Sequence, residues 1–303
     1  MMKSVAIKGI IPPILTPMNA DESINEKELR HQVNRMIEAG VHGIFAFGTN
    51  GESYALSPDE KVRVLEAVVE ETNHRVPVYA GTGCVTTAET VRMSKKAREI
   101  GADVLSVIVP WFAAASQDEL YDHYRAVAEA VDLPIVLYNI PARTGNALAP
   151  ATVARLAKDI PNVMGAKDSS GNFDNMKQYI ELTSGLDKDF SVLSGNDSLI
   201  LPALVFGGKG GIAGCANVFP HTMVEIYEAF AAGDLERAKK VQDSIRVFRN
   251  CFKFGNPNTI VKLAAGLLGD PVGPCRKPFC KITDQGMTEL RKTLELCKAN
   301  GLH

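Results

Sequence analysis

The chain has 303 residues, which is enough for one large domain or two small ones and for a sizeable apolar core. Its formal net charge of −2 gives no electrostatic reason to bind nucleic acid or an anionic membrane. No stretch approaches the roughly 20 apolar residues of a membrane span, and Lys8 and Pro12 interrupt any signal-peptide core. We therefore expect a cytoplasmic protein that binds neither nucleic acid nor membrane.

The cysteines and histidines give little support for a metal site. The six cysteines contain no CxxC pair, and the six histidines form no HxH or HExxH cluster. In a chain without an export signal, buried reduced thiols are favoured over disulfides or metal ligands. We expect no bound metal.

Short apolar segments alternate with longer amphipathic segments along most of the chain. Each apolar segment is continuous, which is typical of a parallel sheet buried on both faces. Eight such units in about 230 residues favour a (β/α)8 TIM barrel, an α/β fold. A doubly wound sheet is the alternative, but no GxGxxG opens the first helix. The predicted strands lie at 9–17, 42–48, 76–83, 103–110, 134–141, 163–169, 190–196 and 210–217.

From Leu235 onward the sequence contains only helical patterns, such as "LERAKKVQDSIRVFRNCFK" and "MTELRKTLELCKAN". These patterns predict a barrel over residues 1–234 and a C-terminal helical appendage over 235–303. No low-complexity linker separates the two parts, so one compact unit is expected.

The predicted barrel indicates a function for Lys167, which lies near the end of the sixth predicted strand. Active sites in this fold lie at the carboxyl ends of the strands, and Lys167 would face inward there, partly desolvated. Desolvation lowers a lysine pKa and makes the amine nucleophilic enough to form a Schiff base with a ketone. Tyr138, late in strand five, could shuttle the proton. The alternative is that Lys167 pairs with Asp168 at the rim.

Three spaced motifs carry a family resemblance: "FGTNGES" (47–53), "YNIPARTG" (138–145) and "GAKDSSG" (165–171). They resemble the signature segments of the dihydrodipicolinate synthase and N-acetylneuraminate lyase family. The resemblance implies a barrel with a C-terminal helical tail, usually a tetramer built from tight dimers. It also implies pyruvate chemistry through a lysine Schiff base, without metal or organic cofactor.

The resemblance assigns roles to particular residues. It implies that Lys167 forms the Schiff base, that Tyr138 shuttles protons and that the Thr49 hydroxyl is linked to this phenol. The substrate-binding set that it implies is Asn50 and Gly51 with their amides, Ile212 through its backbone, Arg143, and Gly195, Asn196 and Asp197 after strand seven. Arg143 could hold a second carboxylate bidentately or be a solvated rim arginine. Glu52 is expected to be structural, satisfying loop or helix-start amides.

Departures from the family pattern bear on the substrate. Phe112 stands where the synthases use a relay tyrosine that reaches across the tight dimer interface, and Asn50 stands at their usual second threonine. Ser198 replaces the glutamate that is usual in the neuraminate lyases, whereas "GPCRKPF" (273–279) resembles the tail of hydroxy-oxoglutarate aldolases.

These features favour a class I pyruvate aldolase or lyase acting on a short 4-hydroxy-2-oxo acid, either 4-hydroxy-2-oxoglutarate or a 2-keto-3-deoxy sugar acid. Its partners would be pyruvate and a small aldehyde or 2-oxo acid. The alternative is a dihydrodipicolinate synthase that condenses pyruvate with aspartate semialdehyde. A sugar-acid dehydratase and a non-catalytic keto-acid-binding relative also stay open.

Overall fold

The computed structural model describes residues 5–303. The chain divides into two compact units: Pro77–Ile212 together with the described residues before Ile10, and Ile10–Val76 together with Ala213–His303. Within residues 5–303, no helix combines the length and the apolar character that crossing a membrane requires.

Strands and helices alternate in chain order. The strands are β1 Gly9–Ile10, β2 Ile44–Ala46, β3 Val78–Ala80, β4 Val104–Ile108, β5 Ile135–Asn139, β6 Val163–Asp168, β7 Ser191–Ser194 and β8 Gly210–Gly211. The helices are α1 Glu26–Glu38, α2 Pro58–Thr72, α3 Thr87–Ile100, α4 Gln117–Ala130, α5 Pro141–Thr144, α6 Pro150–Asp159, α7 Phe173–Thr183, α8 Ile200–Val205, α9 Pro220–Ala231, α10 Leu235–Ser244, α11 Arg246–Arg249, α12 Pro257–Leu268 and α13 Asp284–Ala299.

One sheet holds all eight strands, in the order β1-β8-β7-β6-β5-β4-β3-β2. The pairs from β3 to β8 are parallel, and the β5–β6 register sets Tyr138 opposite Lys167. The strand interiors are buried almost throughout, as their continuous apolar sequences predict. The chain has the predicted (β/α)8 barrel fold with a C-terminal helical extension.

The ends of the helices follow the sequence signals. Ser57 and Ser116 begin α2 and α4 with capping boxes, in which a serine hydroxyl and a glutamate three residues later satisfy each other's backbone amides. Gly101 ends α3 in the left-handed conformation that glycine adopts without strain. The structure therefore contains the capping interactions that the sequence signals predict at these helix ends.

The first predicted strand is far longer than the observed one. Residues 9–17 contribute only Gly9–Ile10 and an isolated parallel bridge from Pro13 to Phe45. Pro12 and Pro13 lack the N–H that a continuous ladder needs. Beyond Ile10 the pairing with β2 is therefore reduced to two hydrogen bonds around the bridge, from the Phe45 amide to Pro12 O and from the Ile14 amide to Phe45 O, each at 3.0 Å. The helical tail is confirmed as α10 to α13, whereas the boundary between residues 234 and 235 stays a prediction.

All six cysteines are free thiols. Five are buried, as expected, and Cys280 is half-buried.

Candidate active site

The candidate residues form two sets, one in each compact unit. The first set contains Lys167 and Tyr138, which β6 and β5 place side by side with 3% of each residue exposed. The Lys167 Nζ lies 3.6 Å from the centroid of the Tyr138 ring. Burial lowers the pKa of Lys167, and its interactions with Tyr138 and the charge of Asp197 oppose that shift. The predicted desolvation of this lysine is confirmed.

Asp168 has its own set of hydrogen-bond partners. Its Oδ1 accepts hydrogen bonds from Asn139 Nδ2 at 2.9 Å and from the Ser170 amide at 3.1 Å. Its Oδ2 accepts from Ser170 Oγ at 2.8 Å and from Asn175 Nδ2 at 3.3 Å. Successive strand residues point to opposite faces of a sheet. Asp168 therefore fixes the turn after β6, and the carboxylate that acts on Lys167 is that of Asp197.

The segment after β7 makes room for the lysine. A Cβ added at Gly195 would lie 2.9 Å from Lys167 Cε and closer still to Ser169 Oγ. Asn196 Oδ1 accepts a hydrogen bond from the Ser198 amide at 3.1 Å and so caps the N-terminus of a short helix. Asp197 is 4% exposed. Gly195 thus leaves space for the Lys167 side chain, and the charge of Asp197 raises the Lys167 pKa against the effect of burial, whereas the Asn196 side chain has a local structural partner.

Ile212 and Arg143 differ in their burial. Ile212 is buried, and its amide donates to Ser194 O at 2.8 Å, which fixes the backbone after β8. Arg143 lies on the short helix α5 and is exposed. The substrate-binding roles of both residues stay predictions.

The second set lies in the loop after β2. Phe47 and Glu52 flank this loop with φ angles of 39° and 57°, in the left-handed region that side-chain-bearing residues rarely adopt. A Cβ at Gly51 would lie 2.9 Å from Ile14 O, so the close packing here requires glycine. Thr16 Oγ1 donates to Gly51 O at 2.7 Å. The loop is therefore held in an unusual backbone conformation.

The amide groups of this loop are suited to an anion. Among residues 5–303, neither the Asn50 nor the Gly51 amide donates a hydrogen bond to a protein acceptor. Thr49 O, in contrast, accepts from the Glu52 amide at 3.1 Å and from Asn258 Nδ2 at 2.6 Å. Consecutive unpaired N–H groups in a tight loop form a concavity that binds carboxylates or phosphates.

The sequence did not reveal how this loop is anchored. Glu52 and Lys262 form an ion pair at 2.5 Å, with 0% and 1% of their side chains exposed. Glu52 Oε2 also accepts from the Arg276 amide at 2.8 Å. The expected structural role of Glu52 is correct, but the amide that it satisfies lies in the "GPCRKPF" segment rather than in its own loop or helix start. The available signal was Lys262, a charged residue within the apolar pattern of α12.

Phe112 occupies an unusual position in the first unit. It is 99% exposed, and its φ is 78°. Asn146 holds the surrounding loop, because its Nδ2 donates to Pro110 O and Ala113 O, each at 2.8 Å, and its Oδ1 accepts from the Ala115 amide at 2.8 Å. The fold thus presents an aromatic side chain outward on a well-anchored loop.

Comparison with known proteins shows the family of the chain. The family model described as Dihydrodipicolinate synthetase family matches residues 6–297. A 4-hydroxy-tetrahydrodipicolinate synthase of Methanopyrus kandleri is 43% identical over 95% of this chain and 96% of its own. A solved dihydrodipicolinate synthase superposes with a TM-score of 0.91 at 36% identity, covering 98% of this chain and 100% of its own.

A second solved structure carries a ligand. YagE, an Escherichia coli K12 prophage protein of the dihydrodipicolinic acid synthase family solved in complex with pyruvate, superposes with a TM-score of 0.93 at 30% identity. The superposition covers 96% of this chain and 99% of that one. The match over nearly the whole chain, together with these relatives, shows that the chain belongs to the dihydrodipicolinate synthetase family.

Proposed function

We propose that this protein is a 4-hydroxy-tetrahydrodipicolinate synthase, which condenses pyruvate with aspartate semialdehyde through a Schiff base on Lys167. The observation that carries the covalent step is the buried Lys167 amine beside the Tyr138 ring, with its pKa lowered by burial. The sequence alone favoured cleavage of a short 4-hydroxy-2-oxo acid. The names of the curated relatives support the condensation better.

The chemistry follows from a neutral amine at Lys167. The amine adds to the keto carbon of pyruvate, and loss of water leaves a cationic imine. The imine nitrogen draws electrons from the neighbouring methyl carbon, which loses a proton to give an enamine. This carbon then attacks the aldehyde carbon, and the aldehyde oxygen takes up a proton to become a hydroxyl, which restores the imine on Lys167. The amino group of aspartate semialdehyde then adds to the imine carbon, and the bond from this carbon to the Lys167 nitrogen breaks, which frees the lysine amine. Tyr138 is the candidate group for moving these protons, with Thr49 as its predicted relay partner.

The remaining residues would recognise carboxylates. The Asn50 and Gly51 amides are our candidates for the carboxylate of pyruvate, because they have no protein acceptor among residues 5–303. Arg143, exposed on α5, is the candidate for the carboxylate of aspartate semialdehyde. The proposed reaction requires neither a metal nor an organic cofactor. A cytoplasmic homotetramer stays a prediction from the sequence.

The second candidate is the lyase of a 4-hydroxy-2-oxo acid, and Phe112 is the observation in its favour. A phenyl ring cannot pass on a proton, so a relay that needs a tyrosine at this position is broken here. Cleavage of a short hydroxy-oxo acid still needs the lysine and one phenol, and both are present in the first unit.

A direct comparison of the two reactions tests the proposal. The purified protein is given pyruvate with aspartate semialdehyde, and separately 4-hydroxy-2-oxoglutarate and 2-keto-3-deoxy sugar acids, with Lys167→Arg as the inactive control. We expect kcat/KM for condensation to exceed that for every cleavage. Pyruvate release from a hydroxy-oxo acid without measurable condensation would assign the second function instead.

A further inference from the structure

The buried Glu52–Lys262 pair lies behind the loop that presents the Asn50 and Gly51 amides. We propose that Glu52, Lys262 and Asn258 are positioning residues, which hold this loop in the conformation that binds the carboxylate of the keto acid. The inference rests on the proposed function for the identity of that carboxylate.

Helix α12 supplies two of the three residues from one face. Asn258 and Lys262 are four residues apart, so their side chains lie one above the other on the helix surface. Asn258 reaches Thr49 O at 2.6 Å, at the start of the loop, and Lys262 reaches Glu52 at 2.5 Å, at its end. The helix therefore holds both ends of the segment 49–52, whose middle residues carry the two amides that have no acceptor in the described part of the chain.

The backbone of the loop needs such an anchor. Glu52 has a φ of 57° and Phe47 a φ of 39°, and side-chain-bearing residues keep these angles only when the surrounding structure enforces them. Both carboxylate oxygens of Glu52 are engaged, Oε1 by Lys262 and Oε2 by the Arg276 amide at 2.8 Å. A carboxylate held by two partners restricts the backbone angles of its residue far more than a solvated carboxylate does.

That an ion pair, and not apolar residues, fills these buried positions supports a role in positioning the loop over a role in stability alone. Apolar residues of similar volume often stabilise a core as well as a buried pair does, because both charges lose their hydration. Lys262 also donates to Pro274 O at 2.9 Å, so the pair ties the loop to "GPCRKPF" as well as to α12. The hydrogen bonds from Lys262 to Pro274 O and from the Arg276 amide to Glu52 set distances and angles, which an apolar contact does not.

The first measurement is pyruvate binding by calorimetry, made in the wild type, in Asn258→Ala, and in the double variant Glu52→Gln with Lys262→Met. The double variant removes both charges, so that neither is left buried alone. Glu225→Gln is the matched control, because Glu225 on α9 pairs with Arg237 on α10 at 2.7 Å, and this pair takes no part in the anchor described above. We expect the Kd for pyruvate to rise roughly five- to tenfold in both loop variants, the scale of one lost hydrogen bond, and to stay unchanged in the control.

The second measurement separates positioning from general damage. Cyanoborohydride trapping is compared for pyruvate and for pyruvamide, a ketone of similar size without the negative charge. We expect the loop variants to lose their preference for pyruvate while the rate with pyruvamide is kept. An unchanged Kd for pyruvate in both loop variants overturns the inference, and so does an equal loss with both ketones. Absence of any adduct in the wild type contradicts the proposed function instead, and the calorimetric result still decides the positioning role.

Discussion

We assign two separate chemical roles to neighbouring residues, the Schiff base to Lys167 and the proton transfer to Tyr138. The lysine amine loses its hydration in the barrel, which favours its neutral form. The phenol lies against it because the β5–β6 register sets the two residues opposite each other. Gly195 keeps the lysine side chain free of a clash.

Replacement of the phenol tests its role in proton transfer. We expect Tyr138→Phe to fold normally and to lower kcat by roughly 10²–10⁴-fold, the usual scale for losing a general acid or base. Steady-state kinetics measure the loss, and circular dichroism checks the fold. Turnover close to that of the wild type would show that another group carries the proton.

Helix α4 contains a buried histidine, His123, whose ionisation we expect to make the stability of the fold depend on pH. His123 Nδ1 is hydrogen-bonded to Thr87 Oγ1 at 2.9 Å, while Nε2 is buried without a partner among residues 5–303. Burial lowers the pKa of His123 to about 4 from its usual 6.5. As the pH falls from 6.5 to about 4, the unfolded chain binds this proton and the folded protein does not.

We therefore expect the fold to lose roughly 2 kcal/mol of stability through His123 between about pH 7 and pH 5. His123→Gln keeps a polar group beside Thr87 but does not titrate, so its stability should change less over this range. Urea unfolding at the two pH values measures the difference, and His74→Gln, at an exposed position, is the control. Equal losses in the wild type and in His123→Gln would contradict the assignment.

The helices and strands could be predicted because the sequence signals for them lie close together along the chain. Capping serines, terminal glycines and continuous apolar segments each act within a few residues, and the observed helices follow them. The β1 strand was overestimated because apolar content concealed the missing N–H groups of Pro12 and Pro13. Lys167 and Tyr138 were proposed from short motifs with a chemical reason, and their catalytic roles stay predictions.

Contacts between distant parts of the sequence could not be predicted in this way. Glu52 and Lys262 are far apart along the chain, and one sequence does not show which buried charges meet. The same holds for Asn258 and Thr49. For Asp197, the sequence placed the residue near the site, but its electrostatic effect on Lys167 depends on the fold of the segment after β7.

At the scale of the whole molecule, Phe112 bears on the predicted tetramer. Phe112 is 99% exposed in a single chain and has a φ of 78°, a backbone angle that residues other than glycine keep only where the surrounding structure enforces it. The loop therefore holds an aromatic side chain where a second chain can contact it. We expect the wild type to sediment as four chains of 32.7 kDa each and Phe112→Asp to form smaller species, because a charge at an apolar contact weakens association. Analytical ultracentrifugation measures both. A wild-type monomer, or a variant with unchanged mass, would contradict this assembly.

Borohydride trapping shows whether Lys167 forms the proposed Schiff base with pyruvate. The protein is reduced in the presence of pyruvate and digested, and the adduct is located by mass spectrometry, with Lys167→Arg as the control. We expect one reduced pyruvate adduct on the peptide that carries Lys167 and none in the variant. Because burial lowers the Lys167 pKa from 10.5, trapping should become efficient at a lower pH than for a solvated lysine. An adduct on another lysine, or no adduct at all, would contradict the account.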